Sequence, residues 1–142
     1  MPAYNTIEYI TISTEGNTTD FGDLASAVKV PPAGGSSTRA LIGRATGGFS
    51  NAVNYVTIAS TGNATDFGDL SDAPNEGTLA ASNSTICLFF GGNISGTHKV
   101  QIDEFTISSL GNATDFGDLR LNERMSNAGG AAAASNCHGG LS

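Results

Sequence analysis

Residues 53–70 read VNYVTIASTGNATDFGDL, and the chain carries the same phrase three times. Ile7 to Leu24 reads IEYITISTEGNTTDFGDL, and Ile102 to Leu119 reads IDEFTISSLGNATDFGDL. Thr-Ile, Gly-Asn and Thr-Asp-Phe-Gly-Asp-Leu are identical in every copy. The aspartate that opens DFGDL is Asp20, Asp66 and Asp115, a period of 46 and then 49 residues. A period of this size marks supersecondary units that bury their apolar faces only against one another. A looser block follows each phrase: GGSSTRALIG from Gly34, ASNSTICLFFGG from Ala81 and ASNCHGGLS from Ala134. The expected organisation is one all-β domain over residues 1–142, with units at about 5–50, 51–99 and 100–142.

Each unit has a legible interior. Ile7, Ile10 and Ile12 match Val53, Val56 and Ile58, and then Ile102, Phe105 and Ile107. The last two of each trio alternate as in a half-buried strand. The first is out of phase by one residue, which predicts a bulge near Tyr9 and Tyr55. Gly16-Asn17, Gly62-Asn63 and Gly111-Asn112 are expected turns, because both residue types accept positive φ. In DFGDL, Phe21, Phe67 and Phe116 are expected to point into the core beside Leu24, Leu70 and Leu119. Ala40 to Gly43 and Cys87 to Gly92 read as further strands, with weaker ones near Val28 to Val30 and Thr78 to Ala81. The alanine run Ala131 to Ala134 reads as strand or loop.

Composition agrees and excludes several functions. Charged residues make up only 13%, while Gly reaches 19 residues and Trp is absent, a diet suited to short strands and tight turns. A chain of 142 residues buries roughly two thirds of its unfolded surface. The net charge is −7 with six basic residues, so there is no cationic cluster for a phosphate backbone and nucleic acid is not an expected partner. No apolar run approaches the ~18 residues of a membrane span. The start, MPAYNTIEY, has neither basic residues nor an apolar core, so no secretory signal is expected. Cys87 and Cys137 fall at different places in their units and are expected to be free, small core residues.

The run LFFGG at Leu88 to Gly92, followed by an aromatic about a dozen residues on, resembles the kelch repeat. More specifically, the TGNATDFGDL phrases look like the kelch-like repeats of tailed phages that infect marine cyanobacteria. The chain departs from the kelch pattern in having no Trp after the Tyr. The resemblance implies propeller blades and a phage structural or adhesive β-repeat. Propellers have roughly four to eight blades, so three units form part of a ring and two chains would supply six blades. The last unit also lacks the Ile-Glu-Tyr strand that follows the same segment in the earlier copies. Either Ile7 to Ile12 of the same chain pairs with Cys137 to Leu141, or a neighbouring chain supplies the strand. The first option closes a single-chain pseudo-threefold β-trefoil or β-prism. The second gives kelch-like propeller blades completed by oligomerisation, which is the expectation taken forward.

Candidate chemistry is sparse. Asp20 and Asp23, Asp66 and Asp69, and Asp115 and Asp118 put two carboxylates three residues apart, which could ligate calcium through oxygen. The same residues fix tight turns by bonding nearby amides, and this second reading predicts no tightly bound metal. His98 and His138 lack metal-ligand spacing. No GxSxG nucleophile motif is present, and GGSS and GGFS lack the lysine of a phosphate loop. Asn17, Asn63, Asn83, Asn93 and Asn112 head Asn-X-Ser/Thr sequons that read as turn composition. Among aromatics that could stack on a sugar, Tyr9 and Tyr55 recur with the repeat. Tyr4 and Phe49 do not, and these two are the candidate ligand surface. The expected function is a non-enzymatic virion module without cofactors, made in the host cytoplasm, whose candidate partners are copies of itself, other virion proteins and a host surface glycan. The alternative is a carbohydrate-binding lectin with repeated shallow sites.

Overall fold

The computed structural model describes residues 2–43, 50–74 and 76–120. Within them the chain is all-β and antiparallel, arranged as three separate sheets. The first holds β1 (Tyr4–Tyr9) and β2 (Thr19–Val28). The second is a meander of β3 (Ala33–Gly35), β4 (Arg39–Gly43), β5 (Ala52–Thr57) and β6 (Thr65–Asp69). The third begins with β7 (Glu76–Ser82) and β8 (Ile86–Ile94), with the short β9 (Thr97–His98) folded back on β8. It ends with β10 (Gln101–Thr106) and β11 (Thr114–Asp118), in the order β7, β8, β10, β11. The second and third sheets therefore each combine the loose block of one sequence copy with the TI…DFGDL phrase of the next.

The three phrases fold alike. Each pairs its first strand with its DFGD strand, and each pairing slips by one residue: between Ile7 and Glu8, between Val53 and Asn54, and between Ile102 and Asp103. In each case Asp and Gly of DFGD have adjacent partners, and the Phe between them has none. The bulge expected at Tyr9 and Tyr55 thus lies across the ladder, at Phe21, Phe67 and Phe116. The glycine after the Phe provides the backbone for it, with φ of 147°, 152° and 143° at Gly22, Gly68 and Gly117, a region that side chains disfavour.

The expected Gly-Asn turns lie elsewhere. The chain reverses a few residues earlier, where Thr14 N–H donates to Thr11 O, Ser60 N–H to Thr57 O and Ser109 N–H to Thr106 O. Gly62-Asn63 and Gly111-Asn112 instead run against the neighbouring sheet. The strand expected near Val28 to Val30 is also displaced: β2 ends at Val28, Val30 has a φ of 48°, and the next strand is β3.

Two apolar cores lie between the sheets. One joins Leu24 and Val28 to Val56 and Ala64, with Ile7 and Phe21 packed on it. The other joins Leu41, Val53, Phe67 and Leu70 to Cys87, Phe89, Phe105 and Ile107. Phe67, Phe105 and Phe89 stack edge to face in series, at centroid distances of 5.6 and 5.7 Å, a geometry aromatic rings prefer. Cys87 is buried in the second of these cores. Phe67 is 2% exposed and Phe21 is half-buried, but Phe116 is 56% exposed and so departs from the expected core position. The cause is the direction of packing: Phe21 and Phe67 are each covered by the following phrase, and no further copy of the phrase packs on Phe116 among the described residues. Ile10 and Ile12 are exposed for the converse reason, since among the described residues no earlier copy of the phrase packs against them. Phe49, His138, the run Ala131 to Ala134 and the segment Cys137 to Leu141 lie outside the described residues.

Truncation should separate the equivalent rings. In dilute solution, Phe67→Ala is expected to cost about 3–5 kcal/mol of unfolding free energy and Phe116→Ala within about 0.5 kcal/mol, as read by urea denaturation. Equal losses would contradict the packing order.

Candidate functional site

Shared Phe, Gly and Asn residues of successive copies meet at the seams between sheets. At the first seam, Gly62 N–H donates to the Phe21 carbonyl at 2.7 Å and Ala64 N–H to the Asp23 carbonyl at 2.8 Å. At the second, Gly111 N–H donates to the Phe67 carbonyl at 3.0 Å and Ala113 N–H to the Asp69 carbonyl at 2.8 Å. The asparagine between each donor pair completes the set. Asn63 Oδ1 accepts from Asp23 N–H at 3.0 Å, and Asn112 Oδ1 accepts from Asp69 N–H at 3.1 Å. The outer edge of a DFGD strand thus pairs with the Gly-Asn-X segment of the next phrase. An unpaired strand edge invites such pairing.

The approach is close enough to require glycine. A Cβ on Gly22 would overlap the Gly62 carbonyl, and one on Gly68 would overlap the Gly111 carbonyl. Glycine in a strand often marks a place where another backbone comes near.

Residues that differ among the copies add a second layer. Asp103 is buried, and its carboxylate accepts from Ser71 Oγ at 2.7 Å and from Ser71 N–H at 3.1 Å. This ties the end of the second phrase to the start of the third. At the first seam the same positions hold Ala25 and Asn54. Beside Asp103 lies a cavity of about 20 Å³, lined in part by Asp72, Thr78 and Lys99, which is room for about one water. Lys99 pairs with Asp72 at 2.8 Å. The counterpart cleft at the first seam measures about 250 Å³ and is lined by Leu24, Ala25, Ser26, Val28, Ile42, Gly43, Ala52, Asn54 and Asp66. Arg39 braces the second seam from the other side. Its Nη1 donates to the Ile107 carbonyl at 2.9 Å, and its guanidinium sits 4.9 Å from the Tyr55 ring centre. Motif reading missed Asp103, Ser71 and Arg39 because they do not recur; their signal was divergence at otherwise aligned positions.

The acidic candidates are distributed rather than gathered. Asp20, Asp66 and Asp115 are exposed, one on the last strand of each sheet. Asp23 and Asp69 lie on the seams, where their backbone groups are the bonded ones, and Asp118 is exposed. Asp115 Oδ1 accepts from Gly117 N–H at 3.0 Å. Among the described residues no three His, Cys, Asp or Glu side chains meet closely enough to hold a metal ion. Tyr4 is exposed at the start of β1, opposite Val28. The sequon asparagines differ in role: Asn83 Oδ1 accepts from Thr85 N–H and Ile86 N–H at 2.8 and 2.7 Å, and Asn93 is buried with its Oδ1 accepting from Gly96 N–H at 2.8 Å.

Two measurements test this account. Gly68 and Gly117 share nearly the same φ, so alanine strains both backbones alike, but only Gly68 faces a neighbouring carbonyl. In dilute solution Gly68→Ala should therefore be less stable than Gly117→Ala by about 1–3 kcal/mol. Asp103→Ala should lose about 1.5–3 kcal/mol, the range for hydrogen bonds to a charged group. Asp103→Asn keeps an acceptor and should lose less. Thermal melts that fail to rank the members of each pair would contradict the seam geometry. No family model matches this chain, and no curated protein is similar to it.

Proposed function

We propose that the chain is a non-enzymatic structural or adhesive module of a phage virion that works by shape and contact. One observation carries this reading: at both described seams the Gly, Asn and Phe common to the phrases take part in sheet-to-sheet docking. Gly22 and Gly68 admit the neighbouring backbone, Asn63 and Asn112 accept from it, and Phe21 and Phe67 fill the space beside it. Repeated residues that built a lectin or metal site would converge on a pocket instead. The finer architecture belongs to the same proposal. A four-stranded meander in the second sheet and a five-stranded third sheet suit kelch-like blades of a propeller, and the two-stranded first sheet suits a blade completed by oligomerisation. The resemblance of the TGNATDFGDL phrases to the repeats of cyanobacterial tailed phages supports the virion as the place of work.

The test is direct. Peptides of this chain should be found by mass spectrometry in density-purified virions of the phage that encodes it, and antibodies raised against it should decorate those particles. Particles free of the chain would overturn the proposal.

A further inference from the structure

The two internal seams use one set of positions, and the two outer faces carry the same positions uncovered. On the third sheet, Phe116 is exposed and a Cβ placed on Gly117 meets no atom within 4 Å. On the first sheet, Ile12 is 94% exposed, whereas its counterpart Ile107 is 2% exposed inside the second seam. Ile10, the counterpart of buried Phe105, is exposed as well. Each face therefore presents one half of the contact made at the second seam, whose backbone bonds recur at the first, where the Ile12 counterpart Ile58 is 48% exposed.

We propose that the third sheet of one chain docks onto the first sheet of a second copy, head to tail. This rests on the contact-based assembly reading above and names the surface that serves it. The internal seams give the bonding pattern. Gly16 N–H donates to the Phe116 carbonyl, Thr18 N–H donates to the Asp118 carbonyl, and Asn17 Oδ1 accepts from Asp118 N–H. Phe116 packs against Ile10 and Ile12, as Phe67 packs with Phe105 and Ile107. Gly117 leaves room for the Gly16 carbonyl, as Gly68 does for that of Gly111.

Charge specifies the same partner. Arg120 follows Leu119 where Ser71 follows Leu70, and Glu8 stands where Asp103 stands. Both are exposed in the single chain. In the docked pair an arginine therefore meets a glutamate at the position where Ser71 meets Asp103 inside the chain. The interface joins two different faces, so it builds a closed ring if the rotation allows and a filament otherwise.

The two faces can be broken separately. Ile12→Asp damages one and Phe116→Asp the other. Both side chains are exposed in the single chain, so its fold should survive, as circular dichroism will show. By sedimentation velocity the wild type should exceed 14.3 kDa as its concentration rises. Each variant alone should associate about 30-fold or more weakly, as for a buried anchor. Mixed together the variants should form a 1:1 pair, because one intact junction remains between them. As a second arm, Glu8→Arg and Arg120→Glu should each weaken association, and the double variant should restore it. If an aspartate variant loses its fold, this charge exchange decides. A wild type that stays at 14.3 kDa at every concentration overturns the proposal. So does an assembly that only one of the two faces disrupts, the mark of an isologous contact. Absence of the chain from virions would defeat the virion reading alone and leave these masses unchanged.

Discussion

The hydrogen bonds from Gly111 and Ala113 to the carbonyls of Phe67 and Asp69, with their counterparts one sheet earlier, set the spacing of the whole molecule. They hold the DFGD edge of one sheet against the Gly-Asn-X segment of the next, and the apolar side chains pack at the distance that results. The requirement works backwards onto the sequence. A carbonyl must enter beside the strand, so the strand needs a glycine there. That glycine takes a φ near +150° and the ladder slips, which leaves the preceding Phe outside the pairing and free to turn to the neighbouring sheet. At the two described seams the Gly, the bulge, the Phe and the distant Asn thus work as a single unit.

The energy of such a seam is divided between two kinds of term. Each hydrogen bond contributes on the order of 1 kcal/mol net, because water bonds the same groups in the unfolded chain. A buried Phe contributes more through the area it removes from water. Position is governed the other way round. The apolar contact tolerates sliding, whereas three hydrogen bonds at fixed spacing do not. The aromatic series Phe67, Phe105 and Phe89 supplies adhesion, and the Gly-Asn bonds supply register.

The sequence was legible wherever local pattern and tertiary packing agree. The apolar runs of β4 and β8 announced strands, the paired identity of DFGDL announced a shared local structure, and the lack of helical spacing announced an all-β chain. What could not be read is where a residue works through another sheet. Gly-Asn resembles a turn in sequence, yet its glycine and asparagine serve a contact some 40 residues away in the chain, Asp23 with Asn63. The bulge was legible as a phase slip in β1, β5 and β10, but a slip has two sides and periodicity names only one strand. The fate of Phe116 was illegible for a related reason: identical residues differ in burial when, among the described residues, a later phrase packs on one and not on the other. The seam itself was visible only as unexplained identity, and Asp103 with Ser71 only as a difference between copies.

That division between identical and differing residues has a physical meaning. The shared Gly, Asn and Phe would let any DFGD edge meet any Gly-Asn-X segment, since backbone groups carry no address. Order along the chain then depends on what differs. The second seam pairs Ser71 with Asp103, adds Arg39 to the Ile107 carbonyl and sets ring against ring at Phe67 and Phe105. The first offers Ala25 beside Asn54 and brings Phe21 into the cluster of Val56 and Ala64. Exchanging the partners would place Asp103 beside Ala25, with a buried carboxylate and no donor from Ser71, a cost that buried charge makes severe. Specificity of this kind comes from penalising the wrong neighbour more than from favouring the right one. A chain of near-identical units can therefore keep a fixed order with few variable positions, provided those positions lie on the seams, which is where Ser71, Asp103 and Arg39 are found.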